Sequence, residues 1–343
     1  MKRISLAVLA AVTALSAACG SKYKAPPPVA SIALPSGADL KPYAAASPGL
    51  ARPSGMAELN GKAYVALGNY DASYAVRGPG LLAVVVPSTG AVTLIDLGGS
   101  DGKKCQNAGF VRVADTKLLV TCGGDYNTGT GTAVVEIDPA TSAVTRSLTL
   151  PSSPSGVAIS PTRLWLGDAT SGKVYPVDRQ SFSLAGAPVT LQCPATGYAT
   201  VNDLLVVGTD LFALCTNNNG GFLNRLDATT GAAKSVIEAG PVAAAMALTG
   251  DGRIALVSGL DNKLRLVTIT GSALAVEVGF TFNSQTSTLQ DVRARDQFVF
   301  TVASGSNTVQ KIDLSAKGGP ALVAEKNVGL GTNPWNVLPL DGL

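Results

Sequence analysis

The sequence predicts an all-β chain, a β-propeller of six four-stranded blades, and three observations predict it. The first is composition. Of 343 residues 46% are apolar, only 14% are charged, 5% are aromatic and 38 are glycine. Val, Ala, Ser and Thr are abundant and no long Leu/Glu/Lys/Ala-rich stretch occurs, which is the profile of short strands joined by tight turns. The second is repetition. EIDPATSAV (136–144), PVDRQSFSL (176–184), RLDATTGAA (225–233) and KIDLSAKGG (311–319) place Asp138, Asp178, Asp227 and Asp313 alike, while VVPSTGAV (85–92) and VTITGSAL (267–274) fill two further slots without the Asp. The third is the period, about 40–50 residues with four short strands per copy, which is the size of one propeller blade. A single blade cannot bury both faces alone, and packing against its neighbours does so.

Taken in order, the chain begins with MKRISLAVLAAVTALSAACGS. Lys2 and Arg3 form a charged start, and Ile4 to Ala18 is an apolar run too short for a comfortable membrane span. Residues 1–18 are expected to be an export signal. Ala17-Ala18-Cys19-Gly20 resembles a bacterial lipobox, which implies diacylglycerol on Cys19 after cleavage. Ser16 stands where that pattern usually has Leu, and cleavage after Ala18 without lipid is the alternative. Gly20 follows the cysteine rather than Asp, which by resemblance to bacterial sorting points to the outer membrane. Residues 19–50 are rich in Pro, Ala and Ser and are expected to be a tether, with VASIAL (29–34) as its one candidate strand. Residues 51–343 are expected to be the propeller.

Within it, first strands open on a Pro or Gly turn, as in PSGMAEL (53–59), PSGVAIS (154–160) and PVAAAMAL (241–248). Second strands are the most recognisable: KAYVALG (62–68), KLLVTCG (117–123), RLWLGDA (163–169), LFALCTN (211–217), RIALVSG (253–259) and FVFTVAS (298–304). TNPWNVLPLDG (332–342) reads as one more first strand, which would close the ring. A seventh, irregular blade built from both ends is the alternative. Trp165 and Trp335 are expected to be packing residues. Through Tyr64-Val65-Ala66-Leu67 and Leu164-Trp165-Leu166-Gly167 the region 50–343 resembles YVTN-type propeller repeats. That resemblance implies a bacterial surface or periplasmic setting, and no particular activity.

Cys105 precedes the first strand of the second repeat and Cys122 ends its second strand; Cys193 and Cys215 hold the same places in the fourth repeat. In an antiparallel hairpin the start of one strand neighbours the end of the next. Of the three connectivities open to four cysteines, the register selects 105–122 and 193–215. Disulfides agree with export.

Several functions are excluded or disfavoured. The chain has no histidine, which removes Ser-His-Asp and Cys-His catalysis, His-ligated metal and imidazole acid–base chemistry. Taking Lys2 and Arg3 from 26 basic residues leaves 24 against 23 acidic ones. A chain so balanced, without a basic stripe, has no footprint for nucleic acid. The glycine pairs are not followed by the Lys-Ser/Thr of a phosphate loop. The repeated Asp residues invite a calcium reading, but each fits a turn cap better, and no metal or cofactor is expected.

The longest loops between second and third strands are GNYDASYAVRGPG (68–80) and GGDYNTGTG (123–131), with the link GGSDGKKC (98–105) between them. They gather Asn69, Tyr70, Asp71, Tyr74, Arg77, Asp101, Lys103, Lys104, Asp125 and Tyr126. Tyr with Arg and Asp is the composition of a recognition patch, and these residues are the expected binding surface. The expected function is that of a lipid-anchored cell-envelope module which binds a protein partner or serves as a scaffold, without catalysis. Two alternatives stand. One is a Ca²⁺-dependent, lactonase-like hydrolase, which needs carboxylates converging on the axis; the predicted first strands offer only Glu58, Arg112, Asn202, Asp291 and Arg293 as polar candidates. The other is a glycan or small-molecule binder on the propeller face.

Overall fold

The computed structural model describes residues 32–35, 37–43, 49–71, 73–101, 103–193, 198–217, 220–282, 288–327 and 336–339. The export signal, Cys19 and Trp335 lie outside these residues.

The chain is all-β, six four-stranded antiparallel blades of a propeller. The first blade is β1 (Pro53–Leu59), β2 (Lys62–Leu67), β3 (Leu81–Val86) and β4 (Ala91–Asp96), and the second is β5 (Ala108–Ala114), β6 (Lys117–Gly123), β7 (Thr132–Asp138) and β8 (Ala143–Thr149). The third is β9 (Pro154–Ile159), β10 (Arg163–Asp168) and β11 (Lys173–Asp178), with an outer strand broken into β12 (Ser183–Leu184) and β13 (Val189–Thr190). Gly186-Ala187-Pro188 lies in the break, and proline cannot donate to a ladder. The fourth is β14 (Thr200–Val207), β15 (Asp210–Asn217), β16 (Gly220–Asp227) and β17 (Ala233–Gly240). The fifth is β18 (Ala243–Leu248), β19 (Ile254–Ser258), β20 (Lys263–Thr270) and β21 (Ala273–Thr281); the sixth is β22 (Leu289–Arg295), β23 (Phe298–Ala303), β24 (Thr308–Asp313) and β25 (Ala321–Asn327). Among the described residues there is no α-helix, only short 3-10 segments at Gly37–Tyr43 and Gly99–Asp101.

The strands fall into two compact units, β1–β8 in the first and β9–β25 in the second. In the first unit β2 shows why second strands are apolar over most of their length, here from Ala63 onward. Its side chains alternate. Tyr64 and Ala66 enter a core shared with Val111, Leu118 and Val120 of the second blade. Ala63, Val65 and Leu67 enter a core on the other face. That second core is completed by Ile32, Leu34, Leu40 and Tyr43 from the stretch expected to be a tether, and by Leu338. Ile32 is 3% exposed and Leu40 fully buried, so this part of the stretch is packed onto the body. No strand is present at residues 32–34, where the tether's one candidate strand was expected.

First strands approach one another closely, and small or short polar residues make this feasible. A Cβ on Gly55 would lie 2.6 Å from the Gly109 carbonyl. The Ser54 hydroxyl donates to the Ala108 carbonyl at 2.9 Å, and the Ser155 hydroxyl likewise donates to the Val201 carbonyl. Asn202 Nδ2 donates to the Ala243 carbonyl at 2.6 Å, and Asp203 Oδ2 accepts from Met246 N at 3.1 Å. Asp291 Oδ2 repeats the Asp203 arrangement, accepting from Val337 N at 3.0 Å. Most of the expected closing strand at 332–342 lies outside the described residues, and residues 336–339 carry no strand.

The repeated Asp residues cap their own turns. Asp138 Oδ1 accepts from Ala140 N, Asp178 Oδ1 from Gln180 N and Ser181 N, Asp227 Oδ1 from Thr229 N and Thr230 N, and Asp313 Oδ1 from Ser315 N. Both predicted disulfides are present, Cys105–Cys122 with Cα atoms 5.2 Å apart and Cys193–Cys215 with Cα atoms 5.9 Å apart. Their register is the one expected, Cys122 facing Ala108 and Cys215 facing Val201.

Candidate functional site

The loop from β2 to β3 is the longest in the first unit and is folded on itself. Tyr70 forms bridges with Leu50 and with Val76. Asn69, expected on the surface, is fully buried. Its φ of 50° is the left-handed conformation that Asn tolerates better than most residues. Its Nδ2 donates to the Pro79 carbonyl at 3.1 Å and to the Tyr43 carbonyl at 3.4 Å. A Cβ on Gly78 would collide with that Tyr43 oxygen, so only glycine admits the contact. Asn69 therefore ties the loop to the segment before the first blade and is not available to a partner.

Asp71 is also consumed internally. Oδ1 accepts from Ser73 N, Ser73 Oγ and Ala75 N, and Oδ2 pairs with Arg77. The Ser73 hydroxyl, then Arg77, hold its carboxyl well below the usual carboxylate range. Asp125 is likewise committed within the loop from β6 to β7, accepting from Asn127 N at 2.9 Å and from the Thr128 hydroxyl at 3.0 Å. Lys103 and Lys104 are exposed on the link. The Asp101 side chain is outside the described residues.

Among small polar residues these loops present two large aromatic side chains outward. Tyr74 is 59% exposed and Tyr126 is 68% exposed. Tyr70 and Tyr74 stack with ring centroids 5.5 Å apart. The Arg52 guanidinium lies 5.3 Å from the Tyr70 centroid and 5.7 Å from that of Tyr74, within the range of a cation–π contact. Burial pushes the Tyr70 phenol up, Arg52 opposes this, and Tyr74 and Tyr126 are near enough to add to it. The surface is thus Arg52 against Tyr70 and Tyr74, with Tyr126 near Tyr70. Arg52 has no signal in the sequence: it stands beside Pro53 outside every loop, and only the return of Tyr70 against Leu50 brings it here.

The polar residues proposed for the axis are engaged in the backbone. Glu58 accepts from Gly61 N at 2.7 Å, Arg112 donates to the Val111 carbonyl, Asn202 holds Ala243 as above, and Asp291 accepts from Val292 N at 3.0 Å as well as from Val337 and lies 3.4 Å from Arg293. Among the described residues no three His, Cys, Asp or Glu side chains gather as a metal-binding set. No helix among them is long and apolar enough to cross a membrane.

No family model and no curated protein matches this sequence. Solved structures do match in fold. A catalytically inactive His-to-Ala variant of virginiamycin B lyase from Staphylococcus aureus, with quinupristin, superposes with a TM-score of 0.59 at 13% identity, over 83% of this chain and 86% of that one. Hydrazine synthase of Kuenenia stuttgartiensis matches at 0.58 and 13% identity, over 77% of each chain. A chain of a mitotic checkpoint complex matches at 0.58 and 13% identity, over 82% of this chain and 79% of that one. What this chain shares with them is the β-propeller fold.

Proposed function

We propose that the protein is a lipid-anchored module of the bacterial cell envelope, of the YVTN-repeat kind, which binds a protein partner through the Tyr70, Tyr74, Tyr126 and Arg52 surface and performs no catalysis. The observation that carries this reading is the exposure of Tyr74 and Tyr126 beside the stacked Tyr70 and Arg52. Tyr and Arg are the residues enriched in interface hot spots, and a tyrosine loses little conformational freedom on docking. The propeller fold alone is neutral, since one fold hosts unrelated functions. The lyase neighbour is inactive with one histidine replaced by alanine. This chain has no histidine, so nothing supports carrying that activity over. The checkpoint-complex neighbour supports a role in assembly by analogy only.

Crosslinking in the native envelope from a photoreactive residue at position 126 is expected to capture one protein partner. The double variant Tyr74→Ser, Tyr126→Ser is expected to weaken that complex by about thirtyfold or more, the loss of at least one hot spot. Tyr198→Ser, which removes an equally exposed tyrosine of the second unit, should leave the affinity unchanged. Equal affinity in all three proteins would remove the surface from consideration. For the anchor, Cys19→Ser is expected to move the protein from the membrane fraction to the soluble periplasmic fraction and to abolish labelling with radioactive palmitate. Labelling that survives the substitution would refute lipidation at Cys19.

A further inference from the structure

At the opposite ends of the strands from the tyrosine surface, the first unit carries a cleft of about 380 Å³ between its two blades. Its walls come from the β1–β2 turn, the β5–β6 turn and the β7–β8 turn, with Lys62, Tyr64, Lys117, Asp138 and Pro139 among the lining residues. The volume is at the lower end of the range for small-molecule sites.

The polar groups of this cleft are unequally committed. Asp138 has both oxygens occupied, Oδ1 by Ala140 N at 2.9 Å and Oδ2 by Lys117 Nζ at 2.5 Å. Lys117, first, holds the Asp138 carboxyl below its usual range, so this carboxylate stays ionised near neutral pH and is spent on the Lys117 ammonium. Lys62 has no hydrogen-bond or ion-pair partner among the described residues, and it stands two positions before Tyr64 on β2, on the same face of the strand. Tyr64 is only 2% exposed, and its hydroxyl has no partner among the described residues. Burial pushes the Tyr64 phenol up, which keeps the hydroxyl a donor. The unused capacity on this wall includes one ammonium and one phenolic O–H, with the Asn60 amide beside them and the Thr116 hydroxyl across the cleft, while the Asp138 carboxylate is spent. Pro139 and Ala140 supply an apolar surface alongside.

We infer that this cleft binds a small organic carboxylate, its oxygens accepting from Lys62 Nζ and the Tyr64 hydroxyl and its hydrocarbon part lying against Pro139. An acceptor-only anion matches the Lys62 ammonium and the Tyr64 hydroxyl, and the Asn60 amide and the Thr116 hydroxyl can each donate to it as well. A metal cation is repelled by Lys62, and a neutral sugar hydroxyl leaves the ammonium without a charged partner. The site is separate from the tyrosine surface and stands or falls independently of it.

The test is titration of the full chain with benzoate, benzamide and inorganic phosphate, followed by calorimetry and by the NMR shifts of residues around Tyr64. Benzoate is expected to bind saturably, and benzamide at least about tenfold more weakly, because the charge-assisted hydrogen bond is lost. Lys62→Gln is expected to weaken benzoate by about tenfold, and Tyr64→Phe, which keeps the ring packing, by several-fold. The exposed position of Lys62 and the retained ring at 64 leave both variants folded, which thermal melts would check. Absence of benzoate binding, equal binding of benzamide, full affinity in Lys62→Gln, or tighter binding of phosphate than of benzoate would each overturn the assignment.

Discussion

Trp165→Ala is expected to lower the melting temperature by roughly 8–16 °C, the shift that about 4 kcal/mol produces in a unit of this size. Trp165 is fully buried on β10 in the third blade. Its ring enters a core with Val201, Leu204, Leu211 and Ala213 of the fourth blade. Its indole N–H donates to the Ala228 carbonyl at 2.9 Å. A Cβ on Gly231 would lie 2.9 Å from the ring, so the fourth blade is shaped to admit it. Alanine would leave a cavity where two blades meet and orphan the Ala228 carbonyl, and both terms destabilise. Trp165→Phe separates them, since it keeps much of the ring volume and loses the donor. It should cost roughly 1–2 kcal/mol. Calorimetry of the three proteins gives the comparison, and an alanine variant that melts with the phenylalanine variant would show that the third and fourth blades do not share this core.

The parts of the molecule that sequence reasoning recovers are those where one residue's chemistry is sufficient cause. Asp138, Asp178, Asp227 and Asp313 mark the turns between third and fourth strands because an Asp carboxylate satisfies the next backbone N–H groups wherever it stands. The second strands are visible because burial on both faces demands a short, nearly continuous apolar run, as in Leu118 to Val120 of β6 and Ile254 to Val257 of β19. The candidate surface is less legible because its residues are sorted by contacts far apart in the chain. Asn69 and Tyr74 are equally polar loop residues on paper, yet one is fully buried and the other 59% exposed. What separates them is the Tyr43 carbonyl, reached only because Gly78 lacks a side chain. Ile32 and Leu40 are hidden in the same way: within a Pro- and Ala-rich stretch VASIAL reads as a strand and Leu40 as an isolated residue, and nothing in the sequence shows that both fill the face of the first blade. Arg52 enters the tyrosine cluster by the same long-range folding.

Removing the two disulfides is the second large effect expected. Cys105→Ala with Cys122→Ala, and Cys193→Ala with Cys215→Ala, should each destabilise by about 3 kcal/mol on the loop-closure estimate for separations of 17 and 22 residues. Each bond ties the link that enters a blade to the end of that blade's second strand, from just ahead of β5 in one case and farther ahead of β14 in the other, and because the separations are similar the two losses should be nearly equal. They should also add, to about 6 kcal/mol, because Cys105 and Cys122 pack in one core cluster and Cys215 in another with no shared neighbours. Alanine is preferred to serine because Cys105, Cys122 and Cys215 are fully buried, and a buried hydroxyl without a partner would add a cost unrelated to the crosslink. Urea unfolding of the wild type, both pairs and the quadruple variant, each with and without reductant, measures this. Reductant should bring the wild type to within the alanine side-chain difference of the quadruple variant and leave the latter unchanged. If one pair alone carried the whole loss, the bonds would not be equivalent staples of equivalent blades.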